Sequence, residues 1–136
     1  MSLEVEAISP AILWTGRILS GLAIAFLVMD AGIKLVPIQP VRDAMQGLGF
    51  NSTDTLARGL GVLLMACTLL YAFPKTAPLG ALLLTGYLGG AMAVQLRIGA
   101  PLFTHILFGG YIGLMLWAGL LLRHRELRAL LFPVAA

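Results

Sequence analysis

The stretch from Leu79 to Leu122, LGALLLTGYLGGAMAVQLRIGAPLFTHILFGGYIGLMLWAGLLL, decides how this chain folds. Two apolar runs, each close to the roughly 20 residues that a helix needs to cross a bilayer, meet at a polar corner. The corner reads Gln95-Leu96-Arg97-Ile98-Gly99-Ala100-Pro101. Gly99 and Pro101 make the turn, because glycine accepts left-handed backbone and proline cannot continue a helix. So short a connection forces antiparallel neighbours. The hairpin therefore reads as two membrane spans, about Leu79 to Ile98 and Leu102 to Leu122.

The composition agrees. The chain has 136 residues, 60% hydrophobic and 11% charged, with a mean hydropathy of +0.96. A soluble domain carries about 25% charged residues. So few charges cannot cover a water-facing surface, and the solvent for most of this chain is lipid. The formal charge of +3 comes from scattered Lys and Arg. No basic run is interleaved with aromatics, so no nucleic-acid partner is expected. Cys67 is the single cysteine, which excludes an intrachain disulfide and a C-x-x-C centre. It reads as a small buried hydrophobe.

Upstream, Met1 to Ala11 is a polar-to-mixed lead with Glu4 and Glu6, and Pro10 suits a first helical turn. A first span runs from about Ile12 to Val36. It lacks a small-residue cleavage site and ends in Asp30 and Lys34, so it reads as a retained span rather than a cleaved leader. Pro37 and Pro40 close it. Val41 to Leu48 is then a short amphipathic segment for the interface, with Val41, Met45 and Leu48 on one face. Asn51-Ser52-Thr53-Asp54 supplies N-cap candidates. A second span covers about Leu56 to Phe73, before Pro74 and Lys75. After the fourth span comes a basic tail, Arg123-His124-Arg125-Glu126-Leu127-Arg128, expected to continue as helix along the surface.

The expected fold is an all-α membrane protein, an up-down-up-down bundle of four transmembrane helices forming a single domain over residues 1–136. Gly86-x-x-x-Gly90 and Gly109-x-x-x-Gly113 are expected to bring the third and fourth helices together. Trp14, Tyr71 and Trp117 are expected at one membrane interface, where such rings belong. Arg17, Lys75, Arg123, Arg125 and Arg128 outweigh the cations at the other end. The positive-inside rule then puts both termini in the cytoplasm.

Alternation also gathers polar residues. The ends of spans one and three share a pole with the starts of spans two and four. Asp30 and Lys34 therefore meet Gln95, Arg97, Arg58 and His105 there. Asp30 and Lys34 are four residues apart and share a helix face. Ionisable groups inside spans cost about 2.5–3.5 kcal/mol each at the centre, so such a set has a reason to exist. It is either an interfacial network that locks helix ends, or the polar mouth of a pocket that holds an amphiphile's head group with the tail in the bundle. A proton or ion path is the remaining alternative.

Other chemistries lack their residues. His105 and His124 lie about 28 Å apart along one helix, too far to be two axial ligands of one haem. No cysteine set serves an iron–sulfur cluster, and no His/Asp/Glu spacing fits a metal. Gly59-x-Gly61 follows no strand, so it is no dinucleotide fingerprint. Ser20 and Thr85 have no visible base and read as helix-packing residues. No cofactor, metal site or catalytic motif is expected.

An ordered set of segments carries a family resemblance: Gly16-Arg17-x-Leu19, Asp30-x-x-x-Lys34-Leu35-Val36, Arg58-x-x-Gly61-Val62-Leu63, the run Leu79 to Ala91, Pro101-Leu102-Phe103-x-His105, and Trp117-x-Gly119-Leu120-x-Leu122-Arg123. Together they resemble the DoxX-like family of small four-helix membrane proteins over about Gly16 to Leu131. The family is named after a membrane subunit associated with thiosulfate:quinone oxidoreductase. Other relatives are linked to oxidative-stress complexes, and a distant animal branch to receptor assembly. The pattern differs here at several positions. A glutamate often stands where this chain has Leu64, a Thr-His pair where it has Val94 and Gln95, and an acid where it has Ala100.

The resemblance and the residues together imply a non-catalytic component of the bacterial inner membrane. It would bind a lipid or quinone through Asp30, Lys34, Arg58, Gln95, Arg97 and His105, or anchor a membrane-associated redox protein. Homo-oligomerisation fits the same picture. Three alternatives stay open: an enzyme on a lipophilic substrate with His105 or Asp30 as acid/base, a transporter driven by protonation of Asp30, and an assembly factor.

Overall fold

The computed structural model describes residues 9–36, 38–50 and 54–133. Among them every regular element is helical: α1 (Pro10–Leu35), α2 (Gln39–Gly47), α3 (Asp54–Ala72), α4 (Ala77–Arg97), a wide π-type turn (Leu102–Ile106), α5 (Phe108–Arg123) and α6 (Arg125–Leu131). Four segments are long and apolar enough to cross a membrane: Pro10–Leu35, Asp54–Ala72, Ala77–Arg97 and Leu102–Arg123.

Local chemistry sets the helix ends. The Ser9 hydroxyl accepts from the Ile12 amide at 3.3 Å and Pro10 opens α1, so orphan donors at the N-terminus are capped or absent. Gly99 (φ +69°) turns the chain after α4. Pro101 has no amide to give, and its carbonyl accepts from both His105 and Ile106. That double acceptance widens the first turn of the fourth span. The N-cap candidates Asn51, Ser52 and Thr53 lie outside the described residues. Asp54 is already in the first turn of α3.

The bundle is a ring. α1 packs on α3 and α5, and α4 packs on the same two, so α1 and α4 face each other across the diagonal. Long side chains such as Leu22, Leu82 and Leu114 are exposed toward the lipid, while Ala23, Ala31, Ala77 and Ala81 are buried. Lipid tails attract leucine as well as a protein core does, so leucines lie on both sides: Leu27, Leu64, Leu84, Leu116 and Leu120 fill the interior, and small residues stand where backbones come close. Gly119 is the clearest case. A Cβ there would run into the Ser20 hydroxyl and meet the Gly16 carbonyl at 3.0 Å. Gly80 lies against the Tyr71 backbone at the α3–α4 corner.

Two expectations are corrected. Tyr71 is not an interface ring: it is fully buried, and its hydroxyl donates to the Leu116 carbonyl at 2.6 Å while lying 2.8 Å from the Ser20 hydroxyl. With the tyrosine proton given to Leu116, Ser20 is the donor of the second bond. This chain links α1, α3 and α5 and satisfies hydroxyls that hydrocarbon cannot. Second, Gly86 and Gly90 do not bring α4 and α5 together, since a Cβ at either would meet nothing within 4 Å. Gly109 does make the expected approach, 3.1 Å from the Leu88 carbonyl by the same measure. Thr85 bridges α4 and α5 by accepting from the Trp117 indole at 2.7 Å.

Candidate functional site

The site begins in the last two turns of α1. Lys34 Nζ donates to Asp30 Oδ2 at 2.5 Å, the i, i+4 pair that the spacing predicts. The same ammonium donates to the Tyr87 hydroxyl at 3.2 Å and stands 5.6 Å from the Tyr87 ring centroid. One lysine is thus held by a carboxylate, a hydroxyl and an aromatic face. Both charged side chains are mostly covered, at 19% exposure for Lys34 and 27% for Asp30.

Depth follows from helix length. Lys34 is one residue from the end of α1, but Tyr87 is ten residues from the end of α4. Ten residues rise about 15 Å. The second half of α4 therefore continues well past the ion pair, alongside the connection that follows α1.

That connection is α2. Val41 and Met45 are buried against Ala57, with Ile33, Phe50 and Leu60 packed around them. Arg42 holds α2 to the start of α3 through both oxygens of Asp54, at 2.9 and 3.0 Å. The fork geometry suits a planar guanidinium. The bond to Asp54 holds the Arg42 guanidinium above its ordinary pKa. α2 is thereby fixed beside α4 without closing on it.

Between them lies a groove of about 660 Å³. Ile38, Pro40, Val41, Ala44, Met45 and Leu48 line one side; Gly86, Tyr87, Gly90, Ala91, Val94 and Gln95 line the other. Asp30 and Lys34 form its polar wall. Gly86 and Gly90 have a local cause here: successive turns of α4 carry no side chain, so the helix wall recedes. The volume lies within the range of small-molecule sites, and so does the composition, apolar with a few convergent polar groups.

The six residues singled out in the sequence separate. Asp30, Lys34 and Gln95 line the groove. Arg58, Arg97 and His105 are exposed and do not line it. His105 Nδ1 lies 2.8 Å from the Thr104 hydroxyl in the wide turn. Tyr87, Gly86, Gly90 and the whole α2 wall are additions. A signal for Tyr87, Gly86 and Gly90 existed in Gly86-Tyr87-Leu88-Gly89-Gly90: a tyrosine flanked by glycines inside an apolar span. Three positions where the sequence differs from the pattern it was expected to resemble are located by the structure. Val94 and Gln95 line the groove, while Leu64 is fully buried in the bundle core.

A second groove, about 540 Å³, runs along the opposite flank of α4 against α5, and among the described residues no charged side chain lines it. Among the described residues no three His, Cys, Asp or Glu side chains are grouped to hold a metal.

The family model described as DoxX-like matches residues 18–119 of this chain. That range contains α2, the ion pair and both groove walls. No curated protein and no solved structure matches the chain.

Proposed function

The chain belongs to the DoxX-like family, and from that premise we propose that it is a non-catalytic membrane component that holds a lipophilic small molecule, a lipid or a quinone. The polar head of the ligand meets Lys34 and Tyr87, and its tail lies between α2 and α4. The observation that carries this is the Asp30–Lys34–Tyr87 cluster on the wall of an otherwise apolar groove. An ammonium with its proton donors committed to one carboxylate and one hydroxyl has a third donor for a head-group oxygen. Tyr87 adds a hydroxyl and an aromatic face beside it. Gly86 and Gly90 leave room for a chain or ring at the depth where the head is held.

The groove's polar set suits binding more than turnover. Asp30 is already paired with Lys34, and His105, the other acid/base candidate, lies outside the groove.

The test is native mass spectrometry of the full chain released from gentle detergent, with extraction and identification of the retained small molecules. Wild type is expected to carry a lipid or quinone, and Lys34→Met to carry it at clearly lower occupancy. Because Lys34→Met strands Asp30, the double variant Asp30→Asn/Lys34→Met serves as the folded control for lost charge and should also lose the ligand. Wild type that releases no amphiphile, or equal retention by both variants, would sink the proposal.

A further inference from the structure

The opposite pole poses a different problem. There the start of α1, the α3–α4 corner and the end of α5 bring Arg17, Lys75, Arg123, Arg125 and Arg128 to one membrane boundary. Among the described residues Glu126 is the only acid at that pole. Arg17 rests on the Trp14 ring, 5.3 Å from its centroid. Arg123 is the inner member. Its stem crosses α1 at Gly16, where a Cβ would meet Arg123 Cγ at 2.9 Å. Its Nε donates to the Gly119 carbonyl at 3.2 Å. Its Nη2 is buried and has no hydrogen-bond partner among the described residues. A charged donor without an acceptor is costly in such surroundings.

α6 gives this pole its second half. His124 leaves helical geometry (φ −120°, ψ 93°), so α6 starts in a new direction from α5. Leu127 packs against the bundle core. Leu127, Leu130 and Leu131 follow i, i+3, i+4 spacing and share a face; Arg125 and Arg128 lie on the opposite one. Leu130 and Phe132 are largely exposed, at 75% and 64%. A short helix with one apolar and one basic face, anchored by one leucine, suits the headgroup boundary.

We propose that this pole binds an anionic phospholipid of the adjacent leaflet: the lipid phosphate accepts from the Arg123 guanidinium, Arg17 and Arg128 flank it, and the acyl chains run past the exposed leucines of α6. Guanidinium groups match phosphate oxygens in a planar fork. The occupant is a lipid rather than a free anion because the cations sit beside exposed apolar side chains at membrane depth. The site is independent of the groove between α2 and α4.

The experiment titrates the full-length protein in neutral detergent with phosphatidylglycerol, with phosphatidylcholine of the same chains, and with inorganic phosphate. Binding is read by native mass spectrometry and thermal unfolding. Phosphatidylglycerol should bind and stabilise more than phosphatidylcholine, and phosphate alone should do neither. Arg123→Gln and Arg128→Gln should each weaken the phosphatidylglycerol preference about fivefold, the worth of one cation near an anionic surface. Gly59→Ala, where a Cβ faces open space and which lines neither groove, should leave that preference intact. If Arg123→Gln does not fold, Arg17→Gln/Arg128→Gln provides the same readout with a larger expected loss. Equal binding of the two lipids, or variants that keep the preference, overturns the proposal. Phosphate that stabilises as well as the lipid does would show a free-anion site instead and overturn it too.

Discussion

Replacing Gly90 by leucine should make the protein more stable and a poorer binder at once. A Cβ at Gly90 meets nothing within 4 Å among the described residues, so the new side chain starts in open space on the α4 wall and extends into the groove. Glycine inside a helix costs up to about 1 kcal/mol relative to good helix formers. Gly90→Leu should therefore leave the unfolding temperature unchanged or raise it. Binding moves the other way. The displaced tail returns to lipid or detergent, so almost no hydrophobic transfer free energy is lost. The cost is steric: forcing extra methylenes into an occupied site costs about 1–3 kcal/mol. That corresponds to roughly a 5- to 150-fold weaker Kd. The matched control is Gly21→Leu, on the exposed face of α1 and outside both grooves, where a Cβ also meets nothing within 4 Å. Both variants are compared with wild type for thermal unfolding and for ligand occupancy by native mass spectrometry. If Gly90→Leu retains as much ligand as Gly21→Leu, the wall formed by Gly86 and Gly90 is not where the tail lies.

Other outcomes follow from the same geometry. Tyr71→Phe removes the hydroxyl that joins Ser20 to the Leu116 carbonyl and should cost about 1 kcal/mol in detergent unfolding; no change would mean that the three-helix link contributes nothing. Gly80→Ala and Gly119→Ala drive a methyl into the Tyr71 and Ser20 backbones or side chains and should destabilise by about 1–3 kcal/mol, whereas Gly59→Ala, facing open space, should be neutral or slightly stabilising by calorimetry. Asp54→Asn breaks the fork that holds Arg42, so amide exchange across residues 39–47 should accelerate and ligand retention should fall; unchanged exchange would show that Val41 and Met45 alone hold α2. His124 is held below its ordinary pKa by partial burial and by Arg123. The unfolded chain then takes up its proton first, so stability present above pH 6.5 declines as pH falls through the lower folded value. His124→Gln should remove that part of the pH profile, read as the difference between the two unfolding curves.

Much of the architecture could be read from single residues. The four spans fall within two residues of their expected bounds, because a bilayer leaves a backbone no alternative to satisfying itself within a helix. Pro10, Gly99 and Pro101 act through their own backbone restrictions, which need no partner. The Asp30–Lys34 pair is a local event, set by i, i+4 spacing. The site was legible only in part. Arg58, Arg97 and His105 reach the expected pole, but helix rotation turns them outward. Rotation depends on which face of each helix packs, and in lipid the hydrophobic pattern barely marks that face: outside and inside are both apolar.

Tertiary structure therefore decided three things. It turned Tyr71 into a buried link between helices, because Ser20 and the Leu116 carbonyl lie within reach only after α1, α3 and α5 pack. It set Tyr87 against Lys34, which are 53 positions apart. It placed α2 beside the second half of α4, since α1 ends short of α4 and Arg42 meets Asp54. What the sequence alone determined was a chain of four membrane spans with a charged pair at one end. The groove exists because helices of unequal reach leave room between them, and that inequality appears only when their contacts set their depths.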